Sequence, residues 1–137
     1  MTFQLHPQLQ QDSISIGSFK LSELRLINDK QYPWFILVPK KENIAEIYQL
    51  SETEQQLLQQ ESSLLAKTLS EIFHADKMNI AAIGNKVPQL HIHHIVRYKE
   101  DIAWPAPVWG KFDSLPYQSQ EIDQIKNKLK TQLKHLM

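Results

Sequence analysis

Apolar and polar residues alternate along "SISIGSF" (13–19), which predicts a short strand. Two β-rich runs follow, "ELRLIND" (23–29) and "WFILVPK" (34–40), separated by "KQYP", a turn containing Pro33; together they predict an antiparallel hairpin. The period then changes. Ser51 opens "SETE", a capping-box pattern with Glu54 three residues on. Behind it Leu57, Leu58, Leu64, Leu65, Leu69, Ile72 and Phe73 keep helical spacing, so residues 52–74 predict a long helix. The apolar run "KMNIAAIG" (77–84) predicts a buried strand ending at Gly84, and after the short "NKVP" loop "QLHIHHIVR" (89–97) predicts a second strand paired antiparallel to it. "DIAWPAPVWG" (101–110) is too rich in proline for an interior strand or helix. Ser119 can cap a last helix, 120–136, striped by Ile122, Ile125, Leu129, Leu133 and Leu136, with Lys126, Lys128, Lys130 and Lys134 on a solvated face. Residues 1–12 are polar and rich in glutamine, a loosely attached arm or a short helix. Antiparallel strands with helices inserted between them make an α+β class.

Composition narrows this picture to one domain over 1–137, with a core spanning 13–110 and a C-terminal helix over 119–136. At 42% hydrophobic residues the chain can bury a core, and fifteen basic residues balance fifteen acidic ones. A net charge of zero argues against a dedicated nucleic-acid binder, while a local cluster of donors can still hold a small anion. The absence of cysteine removes disulfides, thiol nucleophiles and thiolate-bound zinc. The opening "MTFQLHPQLQQD" has neither a basic segment nor a long apolar run, and no window approaches the roughly 18 apolar residues of a membrane span. The expectation is a soluble cytoplasmic protein without a membrane partner.

Candidate chemistry concentrates in residues 88–97, which hold three of the six histidines. Strand alternation puts Gln89, His91 and His93 on one face and Leu90, Ile92 and His94 on the other. His94, on the apolar face, reads as a satisfied core histidine. For the polar face three readings stand. It can simply meet water. It can ligate zinc, which needs a third ligand from His6, His74 or a carboxylate that the local sequence does not supply. Or it can do chemistry: a neutral imidazole is a competent nucleophile toward phosphorus, a second imidazole can donate to phosphate oxygens or the leaving group, and backbone amides at Gly84–Asn85 can hold the remaining oxygens.

The residues Gln89-Leu90-His91-Ile92-His93-His94-Ile95 resemble the signature His-φ-His-φ-His-φ-φ (φ apolar) of the histidine triad superfamily of nucleotide hydrolases and transferases. Gln89 stands where the first histidine would be, and His94 at one φ. Upstream, "GNKV" is similar to the family's Gly-Gln-Ser/Thr-Val: Gly84 and Val87 match, Asn85 is a shorter amide, and Lys86 replaces a hydroxyl residue. "LRLINDKQYPWFILVPKK" resembles the family's N-terminal hairpin, with Asn28 matching a ribose-contacting residue and Trp34 standing where many members have another histidine. The likeness spans roughly residues 18–98, and "QLHIH" with "AWPAPVWG" resembles a bacterial branch that keeps glutamine first.

The resemblance implies an α+β homodimer with a purine nucleotide beside the histidine strand and no metal or other cofactor. It implies attack by His91 on the α-phosphorus to give a nucleotidyl-histidine, with His93 stabilising phosphate oxygens and assisting the leaving group, Gln89 completing the catalytic set, and Asn28, Gly84, Asn85 and Lys86 binding substrate. Dinucleoside polyphosphates and nucleoside phosphoramidates are the implied substrate types, with nucleotide sugars also open. The relative galactose-1-phosphate uridylyltransferase carries glutamine at the last triad position and transfers rather than hydrolyses, so a triad can lose one histidine and work. Alternatives to an enzyme are a nucleotide-binding module with little turnover and a metal-binding protein using His91 and His93. Locally, Asn28 in a turn can bond its own backbone, Lys86 can be merely solvated, and Trp104 and Trp109 can fold over the site or pack in a core or interface.

Overall fold

A computed structural model describes residues 3–134. Five strands, β1 (Ser13–Ser18), β2 (Ser22–Ile27), β3 (Trp34–Pro39), β4 (Lys77–Ala81) and β5 (Ile92–Arg97), form one antiparallel sheet in the order β1-β2-β3-β5-β4. Two longer helices, α2 (Glu52–Phe73) and α3 (Ser119–Gln132), and a short one, α1 (Pro7–Asp12), complete it. The α+β class and the hairpin of β2 and β3 are as the residue patterns predict.

α2 starts where its capping box places it: the Glu54 N–H donates to Ser51 Oγ (3.1 Å) and the Ser51 N–H donates to Glu54 Oε1 (2.9 Å). It ends at His74, which takes a left-handed conformation (φ 53°). Leu58, Leu65 and Leu69 of α2 pack on Leu24, Leu26, Phe35, Leu37, Ile92 and Val96 of the sheet, and Leu129 and Leu133 close the same core from the C-terminal end. α3 begins one residue before the expected position, with Gln118 as its cap and Glu121 accepting the Gln118 N–H (2.8 Å). Leu136 lies outside the described residues.

The opposite face of the sheet is covered by two smaller layers. Phe3, Leu5 and Leu9 of the N-terminal arm and α1 pack on Ile27, Ile36, Val38 and Val87. Ala103, Val108 and Trp109 of the proline-rich segment pack on Tyr32, Trp34 and Ile95. The short helix that the sequence allows is α1, and the arm is seated rather than loosely attached because Phe3, Leu5 and Leu9 find a surface. β4 also departs from its apolar reading. It is one edge of the sheet, ends at Ala81 rather than Gly84, and has no buried residue, with Ile80 at 49%. Among the described residues no helix is long and apolar enough to cross a membrane.

Candidate active site

The histidines gather between these two outer layers. In the β3–β5 register Ile36 faces His93 and Trp34 faces Ile95. Since side chains two apart share a face, Trp34 and His93 are diagonal neighbours on the side away from α2. His94 points the other way, into the α2 core. It is fully buried, with Nδ1 3.1 Å from the Ile92 carbonyl and Nε2 2.7 Å from Ser62 Oγ. Both ring nitrogens have partners, so His94 is a core histidine. His91 stands just ahead of β5, one residue beyond the last pair with β3, Leu37–Ile92.

Hydrogen bonds fix the protons of the two site rings in opposite senses. His91 Nδ1 lies 2.7 Å from the Gln89 carbonyl oxygen. A carbonyl only accepts, so Nδ1 carries the proton and Nε2 keeps the bare lone pair. Trp34 Nε1–H donates to His93 Nδ1 at 2.9 Å. An indole N–H only donates, so His93 carries its proton on Nε2. The two rings stand 4.9 Å apart at 70°. Side by side, then, are a ring nitrogen with an uncommitted lone pair and an N–H donor.

The surroundings keep both rings neutral. Burial pushes the His91 pKa below the ordinary histidine value, although the Gln89 carbonyl works against it and His6 adds to the lowering. For His93 burial dominates, with His91 and His94 adding, and the value falls to about 3. His94 falls to about 4, again through burial. Trp109 stands edge-on to His93 (5.1 Å) and to Trp34 (5.9 Å), walling the donor side. Its segment is anchored by Arg97, whose Nε and Nη2 grip the Asp101 carboxylate at 2.9 and 3.1 Å while Nη2 also donates to the Ala106 carbonyl at 2.8 Å.

Gly84 borders His91: a β-carbon there would lie 4.0 Å from His91 Cε1 and 3.1 Å from the Val87 carbonyl oxygen. Asn85 and Lys86 are exposed in the bend that follows. Gln89 spends its side chain on the arm, Oε1 accepting the His6 N–H (2.8 Å) and Nε2 donating to the Gln4 carbonyl (2.9 Å). Asn28 is engaged elsewhere. Its Oδ1 accepts the Tyr117 N–H at 2.9 Å, tying the end of β2 to the segment before α3. Thus His91, His93, Gly84 and Gln89 come together, and Asn28 is bonded away from the rings. Trp34 and His6 were not among the expected site residues. Trp34 sits on the face of His93 by strand period, but the β3–β5 register that makes them neighbours has no local sequence signal. Among the described residues, no three His, Cys, Asp or Glu side chains are grouped to hold a metal ion.

Residues 8–100 match the HIT (histidine triad) domain family, and the match covers well over half of the chain. The chain belongs to the HIT family. Solved HIT relatives extend the likeness beyond the matched residues. A histidine triad protein from Marinobacter aquaeolei VT8 is 48% identical over 100% of both chains, with a TM-score of 0.96. One from Bradyrhizobium japonicum is 41% identical over 97% of this chain and 99% of its own, at 0.95. One from Sinorhizobium meliloti 1021 is 39% identical over 96% and 98%, also at 0.95. A search of curated proteins returns no match. HIT proteins process nucleotides, generally as hydrolases or transferases, and often form dimers. In this HIT protein the first triad position is Gln89, and the donor that sets the last triad histidine is Trp34.

Proposed function

We propose that this HIT protein cleaves or transfers the nucleotide of a purine nucleotide conjugate, a dinucleoside polyphosphate or nucleoside phosphoramidate, through a nucleotidyl intermediate on His91. The carrying observation is the pair of opposite tautomers, with His91 Nδ1 donating to a carbonyl and His93 Nδ1 accepting from an indole. The His91 Nε2 lone pair forms the N–P bond as the bond from the α-phosphorus to the leaving group breaks. The His93 Nε2–H donates a hydrogen bond to a phosphoryl oxygen as charge builds there. Because burial holds its pKa at about 3, His93 acts as a neutral donor and not as a proton reservoir. A polyphosphate leaves as an anion and needs no proton. An amine leaving group takes one from water or the acceptor. Water, or a second acceptor, then attacks phosphorus from the face opposite His91 and frees the ring.

Gly84, Asn85 and Lys86 border the phosphate end, where the missing β-carbon of Gly84 leaves room beside the His91 ring. Asn28 is the proposed ribose contact through the amide end that does not bind Tyr117. No metal or cofactor is needed for these steps. The test compares wild type with His91→Ala on diadenosine tetraphosphate and on an adenosine phosphoramidate, following AMP. Release that disappears in the variant is expected; equal release by both proteins removes His91 from the reaction.

Gln89 favours a second reading, a nucleotide-binding module with little turnover, since its amide is committed to the arm and neither gives up nor takes up a proton at neutral pH. Calorimetry separates the two: tight AMP binding with negligible turnover selects the module. We further propose a homodimer joined along β4, the exposed edge of the sheet, for which sedimentation is the measure.

A further inference from the structure

His91 sits where the sheet has stopped holding the chain. Pairing with β3 ends at Leu37–Ile92 and pairing with β4 ends at Ala81–His93, so the ladder fixes neither Gln89 nor His91. Pro88 has no N–H to offer. What fixes this stretch is the Leu90 N–H on the Ile44 carbonyl (2.9 Å) and the two bonds of the Gln89 amide to Gln4 and His6. The same Gln89 offers its carbonyl to His91 Nδ1. The arm, Gln89 and His91 are thus linked in series: the arm grips the Gln89 side chain, and the Gln89 backbone sets the His91 ring.

We propose that the N-terminal arm is a working part of the site, and that Gln89 is a positioning residue through which the arm holds His91 in its Nδ1–H tautomer. The chemistry of glutamine suits this task. Its oxygen and NH2 branch from one carbon and can meet the carbonyl of Gln4 and the N–H of His6, two residues apart, as a strand edge would. A neutral imidazole also donates and accepts, but from nitrogens that diverge, so it cannot replace that grip. The arm is seated for the purpose by Phe3, Leu5 and Leu9 on Ile36, Val38 and Val87. His6 is fixed in turn, its Nδ1 accepting the Gln8 N–H (3.0 Å) as the cap of α1. Its nearness to His91 is felt in the lowered His91 pKa. An open groove of about 850 Å³ runs between the arm and the turn after β3, lined by Gln4, His6, Glu42, Asn43, Pro88 and Gln89. Anything that displaced the arm, one wall of this groove, would release the ring.

The positioning claim concerns the ring itself; only its effect on rate rests on the proposed reaction. The test therefore reads the ring directly. Long-range 1H–15N spectra of the full chain report which nitrogen of each histidine is protonated, in wild type, in Gln89→Leu, which keeps the arm's apolar anchors, and in a variant lacking residues 2–6. In wild type His91 is expected as a single Nδ1–H tautomer. In both variants its two nitrogens should move toward averaged shifts, while His94, held in the core by Ser62 and Ile92, keeps its pattern and certifies the fold. Turnover, where present, should fall about a hundredfold in kcat with KM little changed, the cost of a misplaced nucleophile. Gln89→Glu, which keeps the acceptor for His6 but repels the Gln4 carbonyl, should fall between. An unchanged His91 pattern in Gln89→Leu overturns the inference even if the protein is active. Averaged shifts in a protein that hydrolyses nothing uphold it while removing the proposed reaction.

Discussion

Trp34 decides what His93 can do. Its indole N–H points at His93 Nδ1 from 2.9 Å, and no other role is open to a group that only donates. Trp34→Phe keeps the ring against Trp109 but leaves a buried acceptor unpaired, which should cost about 1–3 kcal/mol of stability. It also frees His93 to carry its proton on Nδ1, so the donor at Nε2 is lost for part of the population. Chemical denaturation should show the stability loss, and AMP release the reduced kcat. A variant with wild-type kcat would show that the tautomer of His93 does not matter. The sequence makes His91 and His93 legible as a pair on one face through period two alone. It also shows Trp34 in a place where many family members carry histidine. The bond between Trp34 and His93 is not legible, because it joins residues 59 apart through a register that the turn chemistry does not encode.

Elements that carry their own signal are legible in the sequence, and those defined by their neighbours are not. α2 has a capping box and a leucine stripe, so its boundaries need no tertiary information. β4 has only an apolar run, and such a run cannot say whether a strand lies inside a sheet or at its edge. Ile80 shows the consequence. It pairs with His94, and so shares the α2 side of the sheet, yet it remains 49% exposed. An apolar, unpaired edge invites another strand, and a second copy of β4 would place the two histidine pairs one strand from the junction, since Ala81 pairs with His93. In the proposed dimer, Ile80→Lys puts two like charges at the seam. Wild type should sediment as a dimer and the variant as a monomer with unchanged circular dichroism. Wild type that is monomeric at micromolar concentration would remove the proposal. The N-terminal arm hides its packing for the same reason as β4: Phe3, Leu5 and Leu9 are scattered apolar residues in a polar stretch, and only Ile36, Val38 and Val87 give them a place.

At the scale of the whole molecule, β5 puts neutral histidines on both sides of one sheet. His93 lies under Trp34 and Trp109, and His94 lies against α2. Composition alone gives six histidines and a net charge of zero, and says nothing about which of them resist protonation. That resistance comes from layers assembled across the whole chain. Its consequence for stability has a definite sign. Both folded-state pKa values, about 3 for His93 and about 4 for His94, lie below the ordinary value near 6.5 that an unfolded chain restores. Below pH 6.5 the unfolded chain therefore binds protons that the folded protein refuses, and stability falls as pH falls. The contribution is complete above pH 6.5 and is lost progressively down to about pH 4 for His94 and about pH 3 for His93. Each histidine contributes a slope of about 1.4 kcal/mol per pH unit once the unfolded chain is fully protonated, so the pair should give about 3 kcal/mol per unit between pH 5.5 and 4.5. Most carboxylates are still ionised over the upper part of that interval, which leaves the histidines as the main source of the trend. Urea unfolding at half-unit pH steps should show it, and His94→Gln, whatever its own cost at pH 7, should reduce the slope by about half. A stability that is flat from pH 6.5 to 4.5 would mean that His93 and His94 both gain a proton without unfolding, and that the neutral tautomer set by Trp34 gives way first.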